Sequence, residues 1–166
     1  MCGGVRLPQH YREGPKEGVV KISVNLHGIK LTECDYVVCL DKHVMVEATA
    51  TVGPHKTVGR SCHGRGYDYL AMDPGGASCS GTFVLCAAWR LGCAPIIVMG
   101  MDGYRDGTYW WARDGVGHDR EDSKQHVERW KRELTMLIPN AQEVVRAFDE
   151  PLSAVFPLYA GVPVPH

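Results

Sequence analysis

One stretch constrains the fold more than any other: residues 77–110, ASCSGTFVLCAAWRLGCAPIIVMGMDGYRDGTYW. Residues 83–89 are almost unbroken apolar sequence, which predicts a helix buried nearly all round. Ser78 and Ser80 stand where side-chain oxygens accept from the first free N–H groups of that helix, and Gly81 permits close approach of a neighbouring group. Gly92 follows Leu91, where a left-handed residue closes a helix. Pro95 then leads into residues 96–99, IIVM, a run with no polar interruption that suits a parallel strand covered on both faces. Gly100, Asp102, Gly103 and Tyr104 come next. In open α/β sheets the ligand crevice lies beyond the carboxyl ends of the strands, so the loop after Met99 is where chemistry is expected.

The rest of the chain repeats this alternation. Residues 1–18, rich in Gly, Pro and charge, read as a loop or arm. Residues 19–24 (VVKISV) read as a strand ending at Asn25, and residues 36–40 (YVVCL) as a strand ending at Asp41. Residues 44–50 suit a short helix, residues 56–58 a weak strand, and residues 61–76 a long surface loop. Beyond the central stretch, residues 112–120 form a polar, Gly-containing loop. A helix is expected from Asp122 or Ser123 to about Ile138, with Val127, Trp130, Leu134, Leu137 and Ile138 on one face. Glu128 and Arg132 support it at i,i+4 spacing. Residues 143–148 (EVVRAF) suit a last strand, and residues 151–166 an extended Pro-rich tail lying on the surface or on a neighbouring subunit. Alternating strands and helices predict one three-layer α/β domain, residues 1–166, with a mainly parallel sheet.

Charge limits the partners. Eighteen Lys and Arg against nineteen Asp and Glu leave a formal net charge of −1, which disfavours a phosphate-coating, nucleic-acid-binding surface. No apolar run approaches the ~20 residues of a membrane span. No secretory signal opens the sequence, so a cytoplasmic location is expected. The seven cysteines are odd in number and form no CxxC pair. Free, buried thiols in a reducing compartment are the simplest reading, with Cys39 and Cys86 inside apolar runs. Cys62 with His63 lacks the second close ligand pair of a structural zinc site.

Several residues are candidates for binding or catalysis. Asn25, Asp41 and Asp102 follow strands, and in a parallel sheet they share one edge, where they would bond a nucleotide or cap neighbouring helices. Ser78 and Ser80 suit a phosphate at a helix start or plain N-capping. No GxGxxG or GxxxxGK[ST] motif occurs. Tyr104, Tyr109, Trp110 and Trp111 crowd one polar loop, either to stack on a base or sugar or to anchor that loop on the core. His118 lies in a Gly-flanked loop beside Asp119, with a free pKa of about 6.5 that suits a general base near neutrality. His118, Asp119 and His126 lack a recognised metal-ligand spacing, so no metal and no cofactor is expected.

The block SCSGTFVLCAAWRLGCAPIIVMGMDGYRDGTYW followed by GVGHDREDSKQHVERW resembles the bacterial lipo-oligosaccharide sialyltransferases. It also resembles a broader family related to archaeal hydroxymethylpterin diphosphokinase-like proteins, which includes many phage and surface-polysaccharide proteins. The shared pattern is S-G, a buried helix ending in L-G, a hydrophobic strand, then G-x-D-x-Y, and the likeness runs over roughly residues 19–148. The resemblance implies a Rossmann-like α/β domain that binds a cytidine monophosphate sugar without metal and transfers the sugar to an acceptor hydroxyl. Asn25 then contacts the nucleotide, Ser80 approaches the donor, and Tyr104 with Tyr109 or Trp110 bonds the leaving phosphate. His118 deprotonates the acceptor, and Arg105 and Arg113 are nearby cations. Three departures stand out. The family's first strand and glycine-rich loop should precede Asn25, where only CGGVRL is faintly similar. Ala77 replaces an arginine beside the S-G turn. The acceptor lid shortens to residues 53–76. A second reading is therefore a non-catalytic nucleotide- or partner-binding module of phage or prophage origin, and a third is a pterin or nucleotide phosphotransferase.

Overall fold

A computed structural model describes residues 7–15, 17–61, 70–73, 75–101, 123–148 and 152–160. The elements run α1 (Leu7–Glu13), β1 (Ile22–Val24), β2 (Tyr36–Val38), α2 (Lys42–Val52), β3 (Thr57–Arg60), β4 (Leu70–Met72), α3 (Ser80–Arg90), β5 (Ile96–Val98), α4 (Ser123–Leu137), α5 (Ala141–Val144) and β6 (Val145–Ala147), with short 3₁₀ turns at Pro54–Lys56 and Leu152–Ala154. β1, β2, β3 and β4 form a parallel sheet in that order, and β5 pairs with β6 in a second parallel pair. The fold is α/β with parallel strands, as the strand–helix alternation predicts, and it is Rossmann-like, as the resemblance implies.

Strand alternation explains the layering. Successive residues of a strand point to opposite faces. Val38 and Leu40 join the larger core with Phe83, Leu85, Trp130 and Leu134, while Val37 and Cys39 join a smaller one with Met45 and Ala48 of α2. The sheet is thus covered on both faces: α2 lies on one side, and α3 with α4 on the other. Helix α3 is the centre of the larger core. Seven consecutive residues, Thr82 to Ala88, are buried, in line with their apolar sequence. Gly92 ends the helix at φ +83°, the left-handed conformation expected of it.

Four expectations change. The stretch read as an arm, residues 1–18, contains α1; Leu7 and His10 are buried there, and Pro8 sits in its first turn, where a missing N–H costs nothing. The stretch read as loop, residues 61–76, contains β4, whose weak apolar signal is rescued by pairing with β3. The expected strand over residues 143–148 begins as the single turn α5, and the strand occupies only Val145–Ala147. The Pro-rich tail is not loosely extended over residues 152–160. Leu152 and Phe156 are buried, the Ala147 N–H donates to the Pro157 carbonyl at 2.9 Å, and the Tyr159 N–H donates to the Ala147 carbonyl at 2.8 Å. Among the described residues no helix is long and apolar enough to cross a membrane.

Candidate functional site at the strand ends

The parallel register aligns Val24 with Val38 and Val38 with Val58. Asn25 and the residues following β2 therefore sit side by side at the carboxyl edge of the sheet. Asn25 leaves the strand at φ +50°, a left-handed conformation that asparagine tolerates better than most residues. Its N–H donates to the Val38 carbonyl at 2.9 Å. Its carbonyl accepts from Ser23 Oγ at 2.8 Å, and Ser23 Oγ in turn accepts from the Gly28 N–H at 2.7 Å. Ser23 is fully buried, so the turn is pinned from beneath. The Asn25 side chain differs from this well-bonded backbone: its Oδ1 is buried without a hydrogen-bond partner. An unpaired buried amide oxygen costs about 1–3 kcal/mol, and each such group in a native fold calls for an explanation.

Asp41 occupies the N-cap position of α2 in extended conformation, and its side chain makes no capping bond. Of the two roles open to it in sequence, capping is not the one adopted; the carboxylate stands exposed beside the sheet edge.

Ser78, Ser80 and Gly81 make a second group at the start of α3. Sequence reasoning placed the cap at the serines, but the N-cap is Cys79, whose Sγ accepts from the Thr82 N–H at 3.5 Å. Ser78 instead faces α4. Its N–H donates to Glu133 Oε2 at 3.1 Å, and its Oγ donates to Glu133 Oε1. Thr82 Oγ1 donates to Glu133 Oε2 at 2.6 Å. Glu133 is 5% exposed. Burial disfavours its charge, yet the bonds from Ser78 and Thr82 outweigh that, and its carboxyl is held below the ordinary carboxylate value. The chain's own carboxylate thus takes the Ser78 N–H and hydroxyl that sequence offered to a phosphate. Ser80 remains half-buried at the first position of α3.

Gly81 ties this helix start to the end of β5. A Cβ on Gly81 would stand 2.8 Å from Met101 Cε, so a larger residue there would push aside the end of the methionine side chain that follows β5. The S-G turn and the residue before Asp102 are therefore in contact. From the other side, His10 of α1 accepts from the Gly100 N–H through Nδ1 at 3.1 Å, and its ring packs on Phe148 at 4.8 Å between centroids.

Tyr104, Tyr109, Trp110, Asp102, His118, Arg105 and Arg113 lie outside the described residues, as do Trp111, Asp119, Cys62 and His63. Among the described residues no group of three or more His, Cys, Asp or Glu is placed to hold a metal ion. Cys39 is fully buried, and burial pushes its thiol up to about 12; burial likewise raises Cys34 to about 11.

No protein-family model, no curated protein and no solved structure matches this chain. The site is accordingly described on its own geometry. Glu133 and His10 are the two members that sequence reasoning missed. Glu133 was legible: it falls three residues after Trp130 and one before Leu134, on the apolar face of α4. His10 was not, because nothing in residues 1–18 announces a buried helix.

A cavity of about 350 Å³ lies elsewhere, between β1 and β5, and none of the five described candidates (Asn25, Asp41, Ser78, Ser80, Gly81) lines it.

Proposed function

We propose that this chain is a glycosyltransferase-like protein that binds a nucleotide-activated sugar at the carboxyl edge of its sheet and transfers the sugar to an acceptor hydroxyl without a metal. The observation that carries the reading is the unpaired, buried Oδ1 of Asn25 at the end of β1. A nucleobase amine or a ribose hydroxyl supplies the donor that this oxygen lacks. Asp41, exposed and free of a capping bond at the adjacent strand end, suits a sugar hydroxyl. The resemblance noted in the sequence supports a cytidine monophosphate sugar as donor. In that reading Ser80 and Gly81 border the sugar, Asp102 and Trp110 complete the pocket wall, Tyr104 and Tyr109 stabilise the departing phosphate, and His118 takes the acceptor proton. Donors aimed at the leaving phosphate act where charge develops. Ser78, held by Glu133, positions the turn rather than meeting the ligand.

Calorimetric titration with cytidine monophosphate, its sugar conjugates and other nucleotides tests the binding step. Saturable binding is expected, weakened about tenfold or more by Asn25→Ala, since a lost buried hydrogen bond is worth on the order of 1.4 kcal/mol. His118→Ala is expected to abolish transfer while leaving donor binding intact. Absence of binding at millimolar ligand refutes the proposal and favours a structural or partner-binding role. The pairing of half-buried Asn25 with exposed Asp41 also suits a nucleotide-binding module that has no catalysis; binding without turnover, unaffected by His118→Ala, identifies that case.

A further inference from the structure

The three residues after β5, Met99 to Met101, are gripped from two sides. Met101 Cε lies against Gly81 of α3, and Met99 Cε lies against Gly14, just past α1. Gly100 between them stands at φ +68°, and its N–H donates to Nδ1 of His10 at 3.1 Å. His10 is 5% exposed, and its ring packs on Phe148, which stacks on Tyr159 of the tail at 5.5 Å between centroids. A backbone N–H can only donate, so the Nδ1 that accepts from Gly100 carries a lone pair, and the ring is neutral while the bond exists. A proton added at Nδ1 would set hydrogen against hydrogen and leave a charge in a buried site.

We propose that His10 is a pH-sensitive latch: its neutral ring holds Gly100 and, through Met101, the S-G turn at the start of α3, and its protonation releases both. Few charges surround it among the described residues. Its own helix brings Tyr11, Arg12 and Glu13, the last two exposed. Met99 to Met101 bring no titratable group. From β6 comes Arg146, whose guanidinium donates to the Gln142 and Val145 carbonyls, and from the tail comes Tyr159. Asp149 and Glu150, which follow Phe148, lie outside the described residues. A carboxylate near the ring would raise the midpoint of release and keep its sign, because only an unprotonated Nδ1 accepts the Gly100 N–H. The released ring takes up a proton at the ordinary histidine pKa of about 6.5, and the latched ring excludes it. The latch is therefore at full strength above that value and weakens as pH falls below it. Between pH 7.5 and pH 5.5 the weakening is about tenfold for a pKa of about 6.5. The latch is independent of what the sheet edge binds.

Amide hydrogen exchange at Gly100, corrected for the intrinsic pH dependence of exchange, measures it in the full chain. Protection in the wild type is expected to fall about tenfold between pH 7.5 and pH 5.5, and the Gly81 amide resonance to shift with the same midpoint. In His10→Asn the side-chain oxygen takes the place of Nδ1 and does not titrate, so protection should stay level and the Gly81 shift should vanish. His10→Phe keeps a ring against Phe148 but has no acceptor, and its Gly100 protection should be low at both pH values. Equal pH dependence in the wild type and His10→Asn overturns the latch, as does level protection in the wild type. A Gly81 resonance that stays still while Gly100 opens overturns the coupling to α3.

Discussion

The Glu133 clamp gives the sharpest stability prediction. Replacing Glu133 with alanine removes one acceptor group that serves three donors: Ser78 N–H, Ser78 Oγ and Thr82 Oγ1. The three losses are unequal. Ser78 is exposed and its hydroxyl turns to water, while Thr82 Oγ1 keeps the Cys79 carbonyl at 3.2 Å as an alternative acceptor. The Ser78 N–H and the emptied space beside buried Thr82 dominate the cost. Hydrogen bonds to a charged group contribute about 1.5–3 kcal/mol each. Discounting the two that redirect, Glu133→Ala should lose about 2–3 kcal/mol, which for a chain of this size is roughly 5–10 °C in the thermal midpoint. Glu133→Gln, which keeps one acceptor oxygen, should lose about half as much. The pH dependence carries a sign. The folded carboxyl is held below its ordinary value of 4.5, so its contribution is fully present above that value and is lost as pH falls through the folded one. Wild-type stability should therefore fall on acidification more steeply than that of Glu133→Gln. Urea unfolding of the three proteins between pH 7 and pH 3 measures both effects. A loss under about 0.5 kcal/mol for Glu133→Ala, or acid limbs of equal slope, refutes the clamp.

Three further outcomes are expected. Asn25→Gly should be more stable than Asn25→Ala by about 1 kcal/mol, because both remove the unpaired Oδ1 but only glycine accepts φ +50° without strain; thermal unfolding separates them, and both should weaken the proposed ligand. Gly92→Ala should cost about 1 kcal/mol from backbone strain alone, since φ is +83° and nothing lies within 4 Å of an added Cβ, a loss readable by urea unfolding. Cys39 should resist iodoacetamide in the native state even at pH 9, where a thiol pushed up to about 12 is roughly one part in a thousand thiolate; timed alkylation with mass spectrometry should show half-buried Cys79 reacting ahead of Cys39.

Local chemistry was strong enough in some elements to be read directly. The apolar run of residues 83–89, the closing Gly92 and the IIVM run produced α3 and β5 within a residue of the expected limits, because a segment with no polar face has no alternative to burial. Asn25 and Asp41 at strand ends were equally legible, since polar residues after β-branched runs mark the carboxyl edge. Helix α1 and strand β4 were not. Their sequences are polar or short, and they exist because His10 finds Gly100 and Phe148, and because β3 offers a ladder to residues 70–72. Long-range contacts of this kind leave no periodicity to read.

Ser78 shows the same division at the site. Its sequence position specified a hydroxyl and free N–H groups at a helix start, a setting open to a phosphate or to a cap. Choosing between them needed a residue 55 positions away, Glu133 on α4. The residue types and their periodicity determined the parallel α/β architecture, the buried centre and the polar strand ends. The tertiary structure alone decided which of those polar groups are satisfied within the chain, as Ser78 is, and which are left unpaired, as the Asn25 amide oxygen is. Hydrogen-bond satisfaction depends on where distant side chains arrive in space, and a linear pattern does not encode that.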